Sequence, residues 1–211
     1  MKTALEKARE APGSTKARIL AAAEEAFAAK GFEGASTREI ATRAGVNISS
    51  LHYHWESKET LYVAVFRNVF DGIRRLLEET LPPLLAAHRE PDTVIELAVG
   101  RLFDFFAESP NVPKLLMRRI IENDDTELGI EREVLAPAWA EFSAWLGRLG
   151  GRARVSDVES RMFMLTVHTV LLVYLLDSRP YRNLLGGSVR SEPLAGQLRQ
   201  HVIRIVRQLL A

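Results

Sequence analysis

Residues 36–57 carry start and stop signals so closely spaced that only short helices fit between them. Ser36-Thr37-Arg38-Glu39 has the form of a capping box. The Ser36 hydroxyl can accept from the Glu39 amide, and the Glu39 carboxylate can reach back. This predicts a helix over Thr37–Ala44 with Ile40, Ala41 and Ala44 facing inward, stopped by Gly45. Val46 plugs the turn, and Asn47 can cap a second short helix, Ile48–His54. Ser57 then starts a long helix at Lys58, expected to end near Leu81 because Pro82-Pro83 follows. Upstream, Ile19, Leu20, Ala23, Ala26 and Phe27 recur at helical steps, and Gly31 suits the closing position after Lys30.

The rest of the 211 residues also read as helical. Helices are predicted over Asp92–Glu108, Val112–Asn123, Glu127–Leu149, Asp157–Asp177 and Glu192–Leu210, with Pro137 expected to kink the third. Ser109-Pro110, Asp124-Asp125, Gly150-Gly151, Arg179-Pro180 and Gly186-Gly187 separate them. No run alternates with period two, so the expected class is all-α. The expected organisation is a mobile arm at 1–14, a three-helix unit at 15–61 and a larger helical bundle at 62–211.

Composition narrows the functions. Apolar residues make up 47%, which excludes disorder for the bulk of the chain. Twenty-eight basic and 27 acidic residues leave a net charge of +1, so any polyanion binding must come from local placement of charge. There is no cysteine, which removes disulfides, thiolate metal sites and Cys nucleophiles. The longest uncharged apolar stretch, Met162–Leu176, falls short of the ~20 residues a membrane span needs. No apolar signal region follows Met1, and a cytoplasmic location without membrane contact is expected.

Two short helices joined by a Gly turn and buttressed by a third describe a helix-turn-helix. Its last helix offers Ser49, Ser50, His52, Tyr53 and His54, with cations flanking it at Arg38, Arg43 and Lys58. That division suits base-edge reading held in place by phosphate contacts. His52 and His54 point nearly opposite ways on a helix and cannot chelate one ion, so no metal is expected. The arm's Lys2, Lys7 and Arg9 are diluted by Glu6 and Glu10.

The stretch from Ile19 to Leu61 resembles the DNA-binding domain of the TetR (tetracycline-repressor) family of transcriptional regulators. The matching pieces are Arg18-Ile19-Leu20-Ala21-Ala22-Ala23, Phe27-Ala28-Ala29-Lys30-Gly31-Phe32, Ser36-Thr37-Arg38-Glu39-Ile40-Ala41, Ala44-Gly45-Val46, Leu51-His52-Tyr53-His54-Trp55 and Ser57-Lys58-Glu59, in the family's order and spacing. Trp55 stands where Phe is usual, His52 where Tyr is common, and Asn47 where Ser is usual. The resemblance implies a homodimer on a near-palindromic operator and a C-terminal domain whose small ligand lowers DNA affinity. It places base or groove-wall contacts on Arg38, Ser49, Ser50 and Tyr53, and phosphate contacts on Thr37, His52, His54 and Lys58.

In the bundle, Phe103, Phe106, Met117, Trp139, Phe142, Met162 and His168 would line an apolar pocket with one polar anchor; ordinary core packing is the commoner explanation of each taken alone. Leu194, Leu198, Val202, Ile205 and Leu209 form a stripe that needs a partner surface, and pairing of the last two helices with their copies in a second subunit supplies one. No Gly-rich phosphate loop, nucleophile elbow or di-iron spacing is present, so neither an enzyme nor a cofactor is expected. The reading is a ligand-released repressor acting on double-stranded DNA through a hydrophobic effector. An activator, an effector-independent regulator, and an apolar-ligand carrier without DNA binding are the alternatives.

Overall fold

The computed structural model describes residues 2–87, 90–122, 129–141 and 157–210, and no strand occurs among them. The elements are α1 (Ala4–Glu10), α2 (Thr15–Gly34), α3 (Thr37–Arg43), α4 (Ile48–Trp55), α5 (Lys58–Ala86), α6 (Pro91–Glu108) and α7 (Asn111–Glu122). A π-helical turn, Glu131–Leu135, runs on as α-helix to residue 141. Then come α8 (Asp157–Leu175), α9 (Arg179–Leu185) and α10 (Leu194–Leu210). The all-α class is as expected. Phe142, Asp124-Asp125 and Gly150-Gly151 lie outside the described residues.

The chain packs as two compact units. One comprises Met1–Asp71 with Lys114–Leu135; the other comprises Gly72–Pro113 with Ala136–Ala211. Both α5 and α7 run from one unit into the other.

In the first unit the side-chain caps do what the sequence predicts. Ser36 Oγ accepts from the Glu39 amide at 3.2 Å, Asn47 Oδ1 from Ser50 at 2.7 Å, and Ser57 Oγ from Thr60 at 3.1 Å. Only half of the Ser36 box forms. The Glu39 carboxylate bonds Lys30 at 2.8 Å and Arg43 at 3.0 Å instead of the Ser36 amide, because two cations outbid one neutral donor. The core is an aromatic chain: Phe27, Phe32, Tyr62 and Phe66 meet at centroid distances of 4.8–6.3 Å.

Two departures from the sequence reading arise here. Where a mobile arm was expected at 1–14, residues 4–10 form a helix. Thr3 and Glu6 make a complete capping box, Leu5 and Ala8 are buried, and Arg9 pairs with Asp71 at 2.9 Å. Gly31 (φ +73°) kinks α2, and its missing Cβ leaves the space that the Glu122 carboxylate of α7 fills. Beside it, Arg118 donates from Nε to the Ala28 carbonyl at 2.9 Å and from Nη2 to Ala29. Arg118 therefore caps the carboxyl end of α2's first leg while also pairing with Glu122 at 3.3 Å.

In the second unit α10 packs on α6 and α8 through Leu198, Val202, Ile203 and Val206. Arg207 pairs with Glu96 at 2.8 Å and Arg199 with Asp104 at 3.1 Å. Arg190 donates to the carbonyls of Phe106, Ala107 and Leu175, so one guanidinium closes the ends of both α6 and α8. Its loop is fixed by Asp177, which accepts from Ser188 Oγ at 2.8 Å and the Val189 amide at 3.1 Å.

Two further differences concern proline. Helix α5 continues through Pro82-Pro83 to Ala86, since Leu81 is buried against Val94 and Ala98, with Leu77 and Leu84 alongside. That apolar contact outweighs the ladder bonds the prolines cannot make. Pro180 starts α9 rather than acting only as a breaker, a place that suits its fixed φ and missing N–H. Along the uncharged run Met162–Leu176, Leu171, Leu172 and Leu175 are buried, while Met162, Leu165, Thr166 and Thr169 leave one face of α8 exposed.

Candidate nucleic-acid interface

The turn between α3 and α4 has Gly45 at φ +64°, a backbone that side chains other than glycine adopt at a cost. Across it α4 is sharply two-sided. Leu51 and Trp55 are buried, and the Trp55 indole donates to the Lys16 carbonyl at 3.3 Å, which fastens α4 to α2. The opposite side carries Ser49, His52 and an 84% exposed Tyr53, with Ser50 half-buried. Among the described residues Tyr53 is the most exposed of the large hydrophobic side chains, so it contributes almost nothing to the core of the head. Glu56 (φ +54°) closes the helix, and its carbonyl lies 3.2 Å from His52 Nδ1. A proton on that nitrogen makes the bond and leaves Nε2 facing outward.

Thr37 and Arg38 open α3, with the Arg38 side chain exposed. His54 stands edge-on to Tyr53 at 5.0 Å, and its pKa is held below the usual histidine value by burial first and by the Lys16 ammonium second. Lys58 is less free than its place at the start of α5 suggests. Its Nζ donates to the Ala35 carbonyl at 3.2 Å and lies 4.2 Å from the Phe32 centroid. An ammonium has three donors, so this leaves capacity for an anion while also binding the head together.

The structure thus brings Ser49, Ser50, His52, Tyr53 and His54 onto one short helix, with Thr37 and Arg38 on the helix before it and Lys58 on the helix after. Linear reading did not single out Lys16, which is placed beside His54 by the return of α4 onto α2. Nothing local in the sequence signals that contact.

The bundle residues are spread more widely. Phe103 and Phe106 are buried on α6, which packs on α8, the helix of His168. His168 is half-buried, and burial lowers its pKa. Met162 and Trp139 are exposed, and half-buried Met117 belongs to the first unit. Among the described residues no group of His, Asp and Glu is arranged to hold a metal ion. No single described helix is long and apolar enough to cross a membrane.

Anchored helix, exposed aromatic and flanking cations define a helix-turn-helix head. Residues 19–65 match the family of bacterial regulatory proteins described as the tetR family. Over 217 aligned residues the chain is 28% identical to the HTH-type transcriptional regulator RutR of Escherichia coli K12, covering 98% of this chain and 94% of that one. It is 34% identical to half the chain's length of the HTH-type transcriptional activator FasR of Mycolicibacterium smegmatis, covering 50% of this chain and 45% of FasR. Among solved structures, the fatty acid degradation regulator FadR from Bacillus halodurans aligns with a TM-score of 0.66 at 17% identity, covering 94% and 96% of the two chains. A Rhodococcus regulator aligns with a TM-score of 0.65 at 19% identity, covering 92% and 94%. Residues 19–65 thus match the tetR-family helix-turn-helix head, and the chain is similar over nearly its whole length to an HTH-type transcriptional regulator.

Proposed function

We propose that the protein is a cytoplasmic repressor that binds a near-palindromic operator as a homodimer and is released by a small hydrophobic effector. The observation that carries the DNA reading is the two-sidedness of α4: Leu51 and Trp55 lock it in place while Tyr53 stands almost fully in solvent. Tyr53, Ser49, Ser50 and Arg38 read base edges or groove walls; Thr37, His52, His54 and Lys58 hold phosphates. Dimerisation through α8 and α10 would cover the open face of α8, where Val158, Met162 and Leu165 are exposed, and Leu209 of α10. Reading heads that meet successive major grooves must stand about 34–36 Å apart.

Phe103, Phe106, Trp139 and His168, all in the second unit, are the proposed effector contacts. Continuity of α5 and α7 between the units gives ligand binding a route to the head. An effector acts only through its different affinity for the two states, typically ~1–3 kcal/mol of coupling. Repression follows where the operator overlaps the promoter, and the activator reading follows where it lies upstream; the relative FasR is named an activator.

Genomic footprint selection with the purified protein tests the proposal. The expected result is a two-fold symmetric site whose occupancy falls on titration with one class of apolar compound. Protein that retains no duplex at low ionic strength would sink the DNA reading. Site occupancy indifferent to every compound that binds the protein would sink the effector half.

A further inference from the structure

The cations of the first unit divide into two groups. Lys2, Arg9, Lys30, Arg43, Arg67, Arg118, Arg119 and Arg132 each have a carboxylate within ion-pair distance. Lys7, Lys16, Arg18, Arg38, Lys58 and Lys114 have none among the described residues. Arg38 and Lys58 already flank α4, and two more unpaired cations, Lys16 and Arg18, lie on α2 near its two ends.

Lys16 lies at the carboxyl end of α4. Its own carbonyl holds the Trp55 indole, and its ammonium is close enough to contribute to the lowered pKa of His54. The His54 Nδ1 beside it is buried without a hydrogen-bond partner among the described residues. Arg18 lies at the other end. Its Nη1 is 3.7 Å from the position a Cβ would take on Gly45, in the turn that leads into α4, and the side chain is exposed. Helix α4 has eight residues, so it is about 12 Å long, close to the ~12 Å width of a major groove. Lys16 and Arg18 thus bracket α4 from the neighbouring helix α2, one near Trp55 and one near Gly45.

We propose that Lys16 and Arg18, on the first turns of α2, are phosphate-gripping residues that hold the DNA backbone on either side of the groove α4 enters. This rests on the DNA-binding reading and extends it to a helix outside the turn motif. An unpaired cation costs nothing internal to redirect, whereas Lys30 or Arg43 must first release Glu39. Contacts to phosphate carry no sequence information, so the pair sets affinity and its salt dependence and leaves base preference to α4.

The test compares the full-length protein with a Lys16→Gln/Arg18→Gln variant on a footprint-selected genomic fragment and on a mixed-sequence duplex. Affinity is measured by fluorescence anisotropy across a salt series. The slope of log affinity against log salt should flatten by about two per bound protomer on both duplexes. The ratio of the two affinities should stay unchanged, and so should the thermal midpoint. A Lys114→Gln variant, which removes an exposed unpaired cation of the same unit on α7, should leave the slope within half a unit of the wild type. A folded double variant with the wild-type slope overturns the proposal, as does a loss confined to the selected fragment or an equal flattening by Lys114→Gln. Failure of the wild type to bind either duplex would instead remove the DNA-binding reading, and this proposal with it.

Discussion

The two units are held together at different ranges of sequence. In the head, Ser36, Asn47 and Ser57 each cap an amide three residues ahead, and the recognition turn needs one glycine. In the second unit the fastening groups reach across the chain: Arg190 to Phe106 and Ala107, Arg199 to Asp104, Arg207 to Glu96. Locally specified geometry lets a reading surface keep its shape while its outward residues vary. Long-range fastening makes the bundle one cooperative body, in which the end of α6 and the end of α8 share a single cation.

Four measurements sharpen or break this contrast. The largest effect is expected from Arg190→Ala, which strands three carbonyls at two helix ends. It should cost about 2–3 kcal/mol and lower Tm by roughly 5–10 °C. A midpoint within a degree of the wild type would mean that the bundle does not depend on that clamp. Next is Tyr53→Ala, expected to weaken selected DNA by ~1–3 kcal/mol while leaving Tm unchanged, because the ring is already in solvent. Loss of fold in this variant would contradict the separation of surface from core. Third, Ser36→Ala should cost about 1 kcal/mol in denaturant unfolding through loss of one cap. An effect as large as that of Arg190→Ala would end the distinction between local and long-range fastening. The smallest effect is with pH. His168 is held below its usual 6.5 by burial, so the unfolded chain takes up the proton first as pH falls. Its contribution to stability is complete above about pH 6.5 and declines on acidification toward the folded-state pKa. His168→Gln should flatten that decline in thermal melts across the range.

The same contrast explains what linear reading could see. The caps and the Gly45 turn were legible because each is decided within a few residues. So was the exposure of Tyr53, which follows from helical spacing once Leu51 and Trp55 face inward. Helix α1 escaped notice because its Thr3–Glu6 box lies in a short, charged segment whose burial depends on α2 and Asp71. The passage of α5 through Pro82-Pro83 depends on Val94 and Ala98, which no local rule brings near. The separation of free from neutralised cations was also invisible, since Lys16 and Lys30 look alike until Glu39 is placed. In the bundle, hydrophobic spacing identified α10, yet could not tell which residues pack on α6 and which stay open.

Arg118 and Glu122 have a practical consequence for engineering. A gene fragment ending near residue 65 would carry every proposed DNA-contacting side chain but omit the groups that close the first leg of α2 and fill the notch at Gly31. Swapping specificities between regulators of this kind therefore calls for a discontinuous graft, in which the segment around Arg118 travels with the head that it braces.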